Sequence, residues 1–199
     1  MSLAIESIGP GRLGEYARIP MVSEVSSILS LQERDGGLGG FHLHEEAVRP
    51  PYRKDHDAFQ DGGPLCWPSR FDLSNWGIWI ARVGLDPVGG TAVAWKTAGV
   101  EMLEGRDDLA VLWDIRVHPQ RKREGIGTAV FRYAAAWAGS KGCSLLKIET
   151  QNTNVAACRF YAAVGCFLGQ IDRMAYRQCP QAAHEVMLIW YLDLTKQQP

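Results

Sequence analysis

The chain has 199 residues, 46% of them hydrophobic and 22% charged, with a formal net charge of −1. This length and balance predict one globular domain, and the charge offers no general attraction to nucleic acid or to an anionic membrane. No apolar run approaches the roughly 20 residues that cross a bilayer, and five cysteines without Cys-x-x-Cys spacing or a signal peptide predict a cytoplasmic protein with reduced thiols.

The first predicted elements form a β-hairpin. Residues 25–33 and 41–48 are rich in β-branched and alternating residues, and the turn sequence DGGLGG separates them. We expect Pro50 and Pro51 to end the second strand, because proline cannot donate to a strand ladder. Residues 52–75 then form a long connection, which is typical of a functional loop.

The later elements are a second hairpin, a strand, and alternating helices and strands, at 77–84, 89–97, 108–117, 125–138, 143–150, 154–165 and 184–194. Apolar residues recur at helical spacing in the first helix, and Asn154 and Gly165 bracket the second. Alternating strands and helices favour parallel pairing, whereas the hairpins are antiparallel. The sequence therefore predicts an α/β fold with one mixed sheet.

A basic, glycine-containing turn, VHPQRKREGIGTAV, joins the strand 108–117 to the first helix. A dinucleotide fingerprint would need a third glycine where Val130 stands, and the lysine of a phosphate-binding P-loop is absent. A helix start still offers unpaired N–H groups and partial positive charge to an anion. The alternative is an ordinary helix start whose basic residues face water.

Ten residues around this turn and the second helix share one order and spacing: Val117, Pro119, Lys122, Gly125, Gly127, Asn154, Ala157, Phe160, Tyr161 and Gly165. The pattern resembles the acetyl-coenzyme A (acetyl-CoA) motifs of the GNAT N-acetyltransferase superfamily over residues 108–168. The first hairpin and the tail GQIDRMAYRQCP look like streptothricin acetyltransferases.

The resemblance implies the GNAT fold, a central mixed, twisted sheet of six to seven strands with flanking helices and a splay between two central parallel strands. It implies a single domain over 1–199. Within it, residues 1–107 would form the acceptor side, 108–168 the acetyl-CoA-binding core and 169–199 the C-terminal strands.

The implied function is acetyl-CoA-dependent transfer of an acetyl group to a primary amine of a small cationic acceptor, such as streptothricin, in a ternary complex. Acetylation of a protein lysine or N-terminal amine is an alternative. An acyl-CoA-binding module without turnover is a further alternative, from another functional class. Monomer and homodimer are both left open.

The resemblance also assigns the cofactor contacts. The main chain of Ile115 and Val117 would pair with the pantetheine arm, and Asn154 would hydrogen-bond the cofactor. The pyrophosphate would lie at the helix start, against Lys122, Arg123, Gly125, Ile126, Gly127 and Thr128. The family usually carries Arg or Gln where Lys122 stands, and lysine lacks the guanidinium fork, so we expect weaker binding there.

For the chemistry, the family position of the acid that protonates the leaving thiolate falls on Tyr161; the alternative is a core tyrosine. Strict alternation along 110–117 places Asp114 on the face opposite Trp113, where it could hold the acceptor amine or take its proton. Pairing of Asp114 with Arg116 is equally compatible with the sequence. Glu149 is a second candidate for the amine side.

In the long loop, Trp67 and Trp76 are candidates for the acceptor pocket. Four loop carboxylates are compatible with a cationic acceptor: Asp55, Asp57, Asp61 and Asp72. A zinc site at His42 and His44 lacks an adequate third ligand, so no metal is expected. Cys158 has no readable base partner, which disfavours a covalent acetyl-cysteine.

Overall fold

The computed structural model describes residues 2–59 and 63–197. The strands and α-helices of this part of the chain are β1 (Leu3–Ser7), α1 (Leu13–Tyr16), β2 (Val22–Glu33), β3 (Phe41–Asp55), α2 (Trp67–Arg70), β4 (Trp76–Val83), β5 (Asp86–Ala94), β6 (Leu109–Val117), α3 (Ile126–Ser140), β7 (Leu145–Gln151), α4 (Val155–Ala163), β8 (Phe167–Asp172) and β9 (Met187–Asp193).

Seven strands form one sheet in the order β1-β4-β5-β6-β7-β9-β8. The β1–β4, β4–β5 and β5–β6 pairs are antiparallel, whereas β6 and β7 are parallel. Strands β2 and β3 form a separate two-stranded ribbon. The predicted α/β fold with a mixed sheet of six to seven strands is confirmed.

The contacts group the chain into two compact units. The first comprises residues 1–22, 55–148 and 191–199, and the second comprises 23–54 and 149–190. The prediction of a single domain stays a prediction. Asp61, one of the four predicted loop carboxylates, lies outside the described residues.

Strand β6 contains a β-bulge that the alternation of its sequence did not predict. Ala92 pairs with Asp114, whereas the next residue of β5 pairs with Leu112, so Trp113 is an extra residue. Trp113 packs against the same core cluster as Tyr16, whose hydroxyl binds Asp114. Strict alternation through this strand is therefore wrong, because a one-residue insertion moves the following side chains to the opposite face.

The end of β3 also differs from the prediction. The strand continues through Pro50 and Pro51 to Asp55, with a cis peptide bond between Arg49 and Pro50. Both strands of a two-stranded ribbon are edge strands, and proline is tolerated where its missing N–H faces away from the partner. The connection that follows is shorter than predicted and contains short 3-10 turns and α2.

The two long helices begin as the sequence predicts. Helix α3 starts after Gly125 and continues through Gly139 to Ser140, two residues beyond the predicted end at 138. The side chain of Asn154 caps α4 by accepting a hydrogen bond from the Ala157 amide at 3.2 Å. Gly165 follows α4 with a left-handed φ of 92°, as expected of a C-terminal glycine.

Candidate active site

The start of α3 is built to leave amide groups exposed. Gly125, the N-cap residue, has a φ of 80°, and no side chain among the described residues caps the helix. A Cβ at Gly125 would meet no atom within 4 Å, so the backbone conformation, not crowding, calls for glycine. The first-turn N–H groups are therefore available to an anion.

Two of the basic residues before this helix already have partners. Arg121 pairs with Glu124 at 2.7 Å, and the Lys122 ammonium donates to the Val22 carbonyl at 3.1 Å. Arg123 is exposed, with a left-handed φ of 68°. Lys122 thus anchors the turn to the start of β2 and also adds positive charge beside the helix start.

The last part of β6 directs alternate main-chain groups away from β5. Strand β6 continues to Val117 and pairs with β5 up to Gly89. The amide of His118 donates to β5, and in an antiparallel ladder the residues that bond one neighbour alternate. The N–H and C=O groups of Ile115 and Val117 therefore point away from β5.

Asp114 is held in a buried network within the first unit. Its Oδ1 accepts hydrogen bonds from the Tyr16 hydroxyl at 2.6 Å and from Arg116 Nε at 2.9 Å, and its Oδ2 lies 2.5 Å from Arg116 Nη2. Burial and the Asp114 charge raise the pKa of Tyr16. Burial would lower the pKa of Arg116, but Asp114 raises it overall. Asp114 is therefore paired with Arg116, which was the alternative to a role at the acceptor amine.

Arg116 also holds the long loop. Its two terminal nitrogens each lie 3.0 Å from a carboxylate oxygen of Asp57. Asp72 accepts from the amide of Ser74 and caps a short 3-10 turn. These two loop carboxylates therefore stabilise the structure of the loop. They give less support for a cationic acceptor than their number suggested.

Trp67 and Trp76 lie in the core of the first unit. Their ring centroids are 5.5 Å apart, and Trp67 is 5.6 Å from the Tyr16 ring. The Trp76 indole N–H donates to the Thr97 hydroxyl at 3.1 Å. Both indoles are buried. Their role in an acceptor pocket stays a prediction.

Tyr161 lies on the buried side of α4 in the second unit. Its ring packs against Trp190 at 6.3 Å and against Phe160 at 5.5 Å. Burial raises the pKa of the neighbouring Cys158 to about 12. That thiol stays protonated near neutral pH, which argues against a covalent acetyl-cysteine.

Glu149, also in the second unit, has a neutral partner. The Tyr176 hydroxyl donates to Glu149 Oε1 at 2.5 Å and accepts from Gln151 Nε2 at 3.2 Å. Burial and the charge of Glu149 raise the pKa of Tyr176, so the phenol remains protonated. None of the ion pairs in the described part of the chain includes Glu149, whereas Asp114 and Glu185 both have cationic partners.

Several members of these networks were not predicted as site residues. Tyr16 reaches Asp114 across 98 positions of sequence, and no local pattern signals that contact. Tyr176 stood only in the tail that resembles streptothricin acetyltransferases. Its partnership with Glu149 spans 27 positions.

Comparison with known proteins decides the family. The sequence model of the Acetyltransferase (GNAT) family matches residues 41–166. This chain belongs to the GNAT acetyltransferase family. The predicted family, its fold and an acetyltransferase activity are thereby confirmed.

Relatives of this GNAT acetyltransferase include the streptothricin acetyltransferase of Escherichia coli, which is 31% identical over 152 residues, 76% of each chain. Streptothricin acetyltransferase A of Bacillus subtilis (strain 168) is 37% identical over 82 residues, 41% of this chain and 47% of the relative.

Two solved structures agree with this placement. A Bacillus anthracis protein assigned as a streptothricin acetyltransferase, in complex with acetyl coenzyme A, matches with a TM-score of 0.73 and 25% identity, over 97% of this chain and 98% of that chain. Nourseothricin acetyltransferase matches with a TM-score of 0.75 and 20% identity, over 98% and 99% of the two chains. At 20% identity, the similarity to nourseothricin acetyltransferase supports the fold alone.

The described residues of the GNAT acetyltransferase contain neither a metal-ligating cluster nor a membrane-spanning helix. In residues 2–59 and 63–197, no group of three or more His, Cys, Asp or Glu side chains is placed to hold a metal ion. His42 and His44 instead stack at 5.9 Å, and His44 pairs with Glu46 at 2.5 Å. None of the described helices has the length and apolar character of a membrane span.

Proposed function

We propose that this GNAT protein transfers the acetyl group of acetyl-CoA to a primary amine of a small cationic acceptor of the streptothricin type. The observation that carries the proposal is the similarity to the E. coli streptothricin acetyltransferase, which extends over 76% of both chains. Acetyl-CoA as the donor is supported by the B. anthracis neighbour, which was solved with acetyl coenzyme A. Such an activity would inactivate an antibiotic.

The start of α3 and the end of β6 fit acetyl-CoA. First-turn amides of Ile126, Gly127 and Thr128 would receive the pyrophosphate, with charge from Lys122 and Arg123. The main-chain groups of Ile115 and Val117 that point away from β5 would pair with the amides of the pantetheine arm, as an added strand does. The Asn154 side chain uses its oxygen as a helix cap, which leaves its amide N–H groups for the cofactor.

Acetyl transfer requires a neutral amine, and most amines at neutral pH are protonated. With a pKa of about 10.4, roughly one amine in 2,500 is neutral at pH 7, a deficit of about 4.6 kcal/mol. A carboxylate beside the amine binds the ammonium and takes its proton, directly or through water. Direct transfer in a ternary complex then needs no covalent enzyme intermediate.

We assign the amine-side role to Glu149 in preference to Asp114. Asp114 is buried, and both of its oxygens bind Arg116, so its charge is already neutralised. Glu149 is half-buried, and its partner is the neutral phenol of Tyr176. Its negative charge is therefore available to a cationic acceptor, which supports a substrate of the streptothricin class.

Tyr161 is proposed as the acid for the leaving thiolate. A thiol with a pKa of about 8.5 needs only a modest donor, and a neutral phenol supplies it. Replacing Tyr161 with Phe removes that proton while keeping the ring that packs against Trp190. We expect kcat to fall about 100-fold with an unchanged Kd for acetyl-CoA.

The test is a thiol-release assay with acetyl-CoA over a panel of amines: streptothricin, aminoglycosides, polyamines, lysine-containing peptides and free N-terminal peptides. The highest kcat/KM is expected for streptothricin. A preference for peptides would overturn the small-molecule acceptor and favour protein acetylation. Acetyl-CoA binding without thiol release for any amine would favour a binding module.

A further inference from the structure

A second buried charge pair lies in the second unit and has no part in the proposed chemistry. The Lys54 ammonium donates to both carboxylate oxygens of Glu185 at 2.5 Å, and both side chains are buried. The Thr153 hydroxyl donates to the same carboxylate at 3.2 Å. These three side chains connect the end of β3 to the turn that precedes α4.

Asn152, the residue before Thr153, connects β2, the other strand of the ribbon, to the same turn. Asn152 Nδ2 donates to the Leu29 carbonyl of β2 at 3.0 Å, and its Oδ1 accepts from the Val186 amide at 2.8 Å. The Leu29 amide in turn donates to the Asn152 carbonyl at 2.9 Å. Both strands of the ribbon therefore attach within residues 152–153.

Helix α4 begins at Val155, directly after its N-cap residue Asn154. Asn154 caps it, and the Cys158 amide closes the first helical bond to the Asn154 carbonyl at 3.1 Å. Tyr161 stands seven residues later, about 10 Å along the helix axis. Because two turns of helix move as one piece, the turn at 152–154 sets where the Tyr161 hydroxyl lies.

We propose that Thr153, Glu185 and Lys54 are positioning residues through which the ribbon β2–β3 places Tyr161 for proton transfer. The proposal rests on the acid role given to Tyr161 above. A buried ion pair contributes little net stability compared with a well-packed apolar pair, so stability alone does not account for it. Its directed hydrogen bonds instead hold the turn in one position against the ribbon.

The first test is Thr153→Val, which keeps the shape of the side chain and removes the hydroxyl. We expect kcat to fall about tenfold, because a small displacement of a catalytic group is costly. The KM for acetyl-CoA should stay within about twofold, since the start of α3 is untouched. Thr153→Ser restores the hydroxyl and should recover most of kcat.

The second test removes both charges together, in Lys54→Met with Glu185→Leu, so that neither member of the pair is left buried without the other. We expect this double variant to lower kcat as Thr153→Val does. Adding Thr153→Val to it should lower kcat little further, because the hydroxyl has lost its acceptor. Arg159→Gln is the matched control, since the exposed Arg159–Glu45 pair also joins α4 to β3; its kcat should stay near wild type.

The outcomes separate the two proposals. A wild-type kcat in Tyr161→Phe would remove the acid role on which this inference rests. A slow Tyr161→Phe together with a wild-type kcat in Thr153→Val, or in the folded charge-free variant, would overturn the positioning role and leave the proposed function standing. An equal loss of kcat in Arg159→Gln would also overturn the positioning role, because breaking an exposed contact between α4 and β3 would then have the same effect.

Discussion

Asp114 lies on β6 and Glu149 on β7, two strands that pair in parallel, and the surroundings of the two carboxylates differ. Asp114 shares its charge with a buried guanidinium and a buried phenol. Glu149 shares a hydrogen bond with a phenol and has no cation among the ion pairs of the described residues. The carboxylate of Asp114 therefore has a structural role in the first unit. In our proposal, the carboxylate of Glu149 in the second unit binds the cationic substrate.

This difference shows why a carboxylate on a strand cannot be assigned a role from its position alone. A buried pair with arginine satisfies the carboxylate at the cost of its reactivity. A tyrosine partner fixes one oxygen without neutralising the charge. The partner therefore decides whether the carboxylate is available to the acceptor.

The largest effect is expected where a cation is removed from the first network. Arg116→Met leaves Asp114 buried without its counterion and releases Asp57. The free energy of unfolding should fall by about 3–5 kcal/mol, as measured by urea denaturation. A fall of less than about 1 kcal/mol would mean that Arg116 does not anchor Asp114 and the loop carboxylate of Asp57.

A matched pair of tyrosine variants separates the two carboxylates. Tyr176→Phe should lower kcat/KM for the acceptor about tenfold with little loss of stability, because Glu149 loses the donor that orients it. Tyr16→Phe should cost about 1–2 kcal/mol of unfolding free energy and leave the acceptor kinetics near wild type. Steady-state kinetics and urea denaturation of both variants give the comparison. If Tyr16→Phe lowered kcat/KM and Tyr176→Phe lowered stability instead, the amine-side role would belong to Asp114 and not to Glu149.

The smallest effect concerns exposed carboxylates that do have cationic partners. Hydrogen bonds from Arg12 and Arg82 hold the pKa of Glu6 at about 2. Its contribution to stability is therefore complete above about pH 4.5 and lost as the pH falls towards 2. Unfolding free energy measured across this range should decline less steeply in Glu6→Gln than in the wild type. Parallel curves would show that this carboxylate is not linked to folding.

The features predicted correctly from the sequence are local. The start of α3 at Gly125 and the capping of α4 by Asn154 each depend on residues within one or two helical turns, where spacing carries the information. The alternation of strands and helices likewise gave the mixed sheet. Local spacing was sufficient because a cap and the helix turn that it caps are close in sequence, although tertiary packing stabilises the helices themselves.

The features missed depend on distant partners. The bulge at Trp113 changes which face each residue of β6 occupies, and it is visible only once β5 is paired with that strand. Tyr16 meets Asp114 across 98 positions, at a site where a Cβ on Gly90 would come within 2.5 Å of the Tyr16 ring. Such contacts follow from packing, which no periodicity encodes. The role of Asp114 was left open for that reason.

The assignment of the acceptor amine to Glu149 is tested by comparing Glu149→Gln with Asp114→Asn in the streptothricin acetylation assay, both as folded protein at saturating acetyl-CoA. Loss of the amine-side carboxylate should lower kcat/KM for the acceptor about 100-fold in Glu149→Gln. Asp114→Asn should lose stability but keep kcat/KM within about threefold of wild type. An equal or larger kinetic loss in Asp114→Asn would contradict the assignment of the acceptor amine to Glu149.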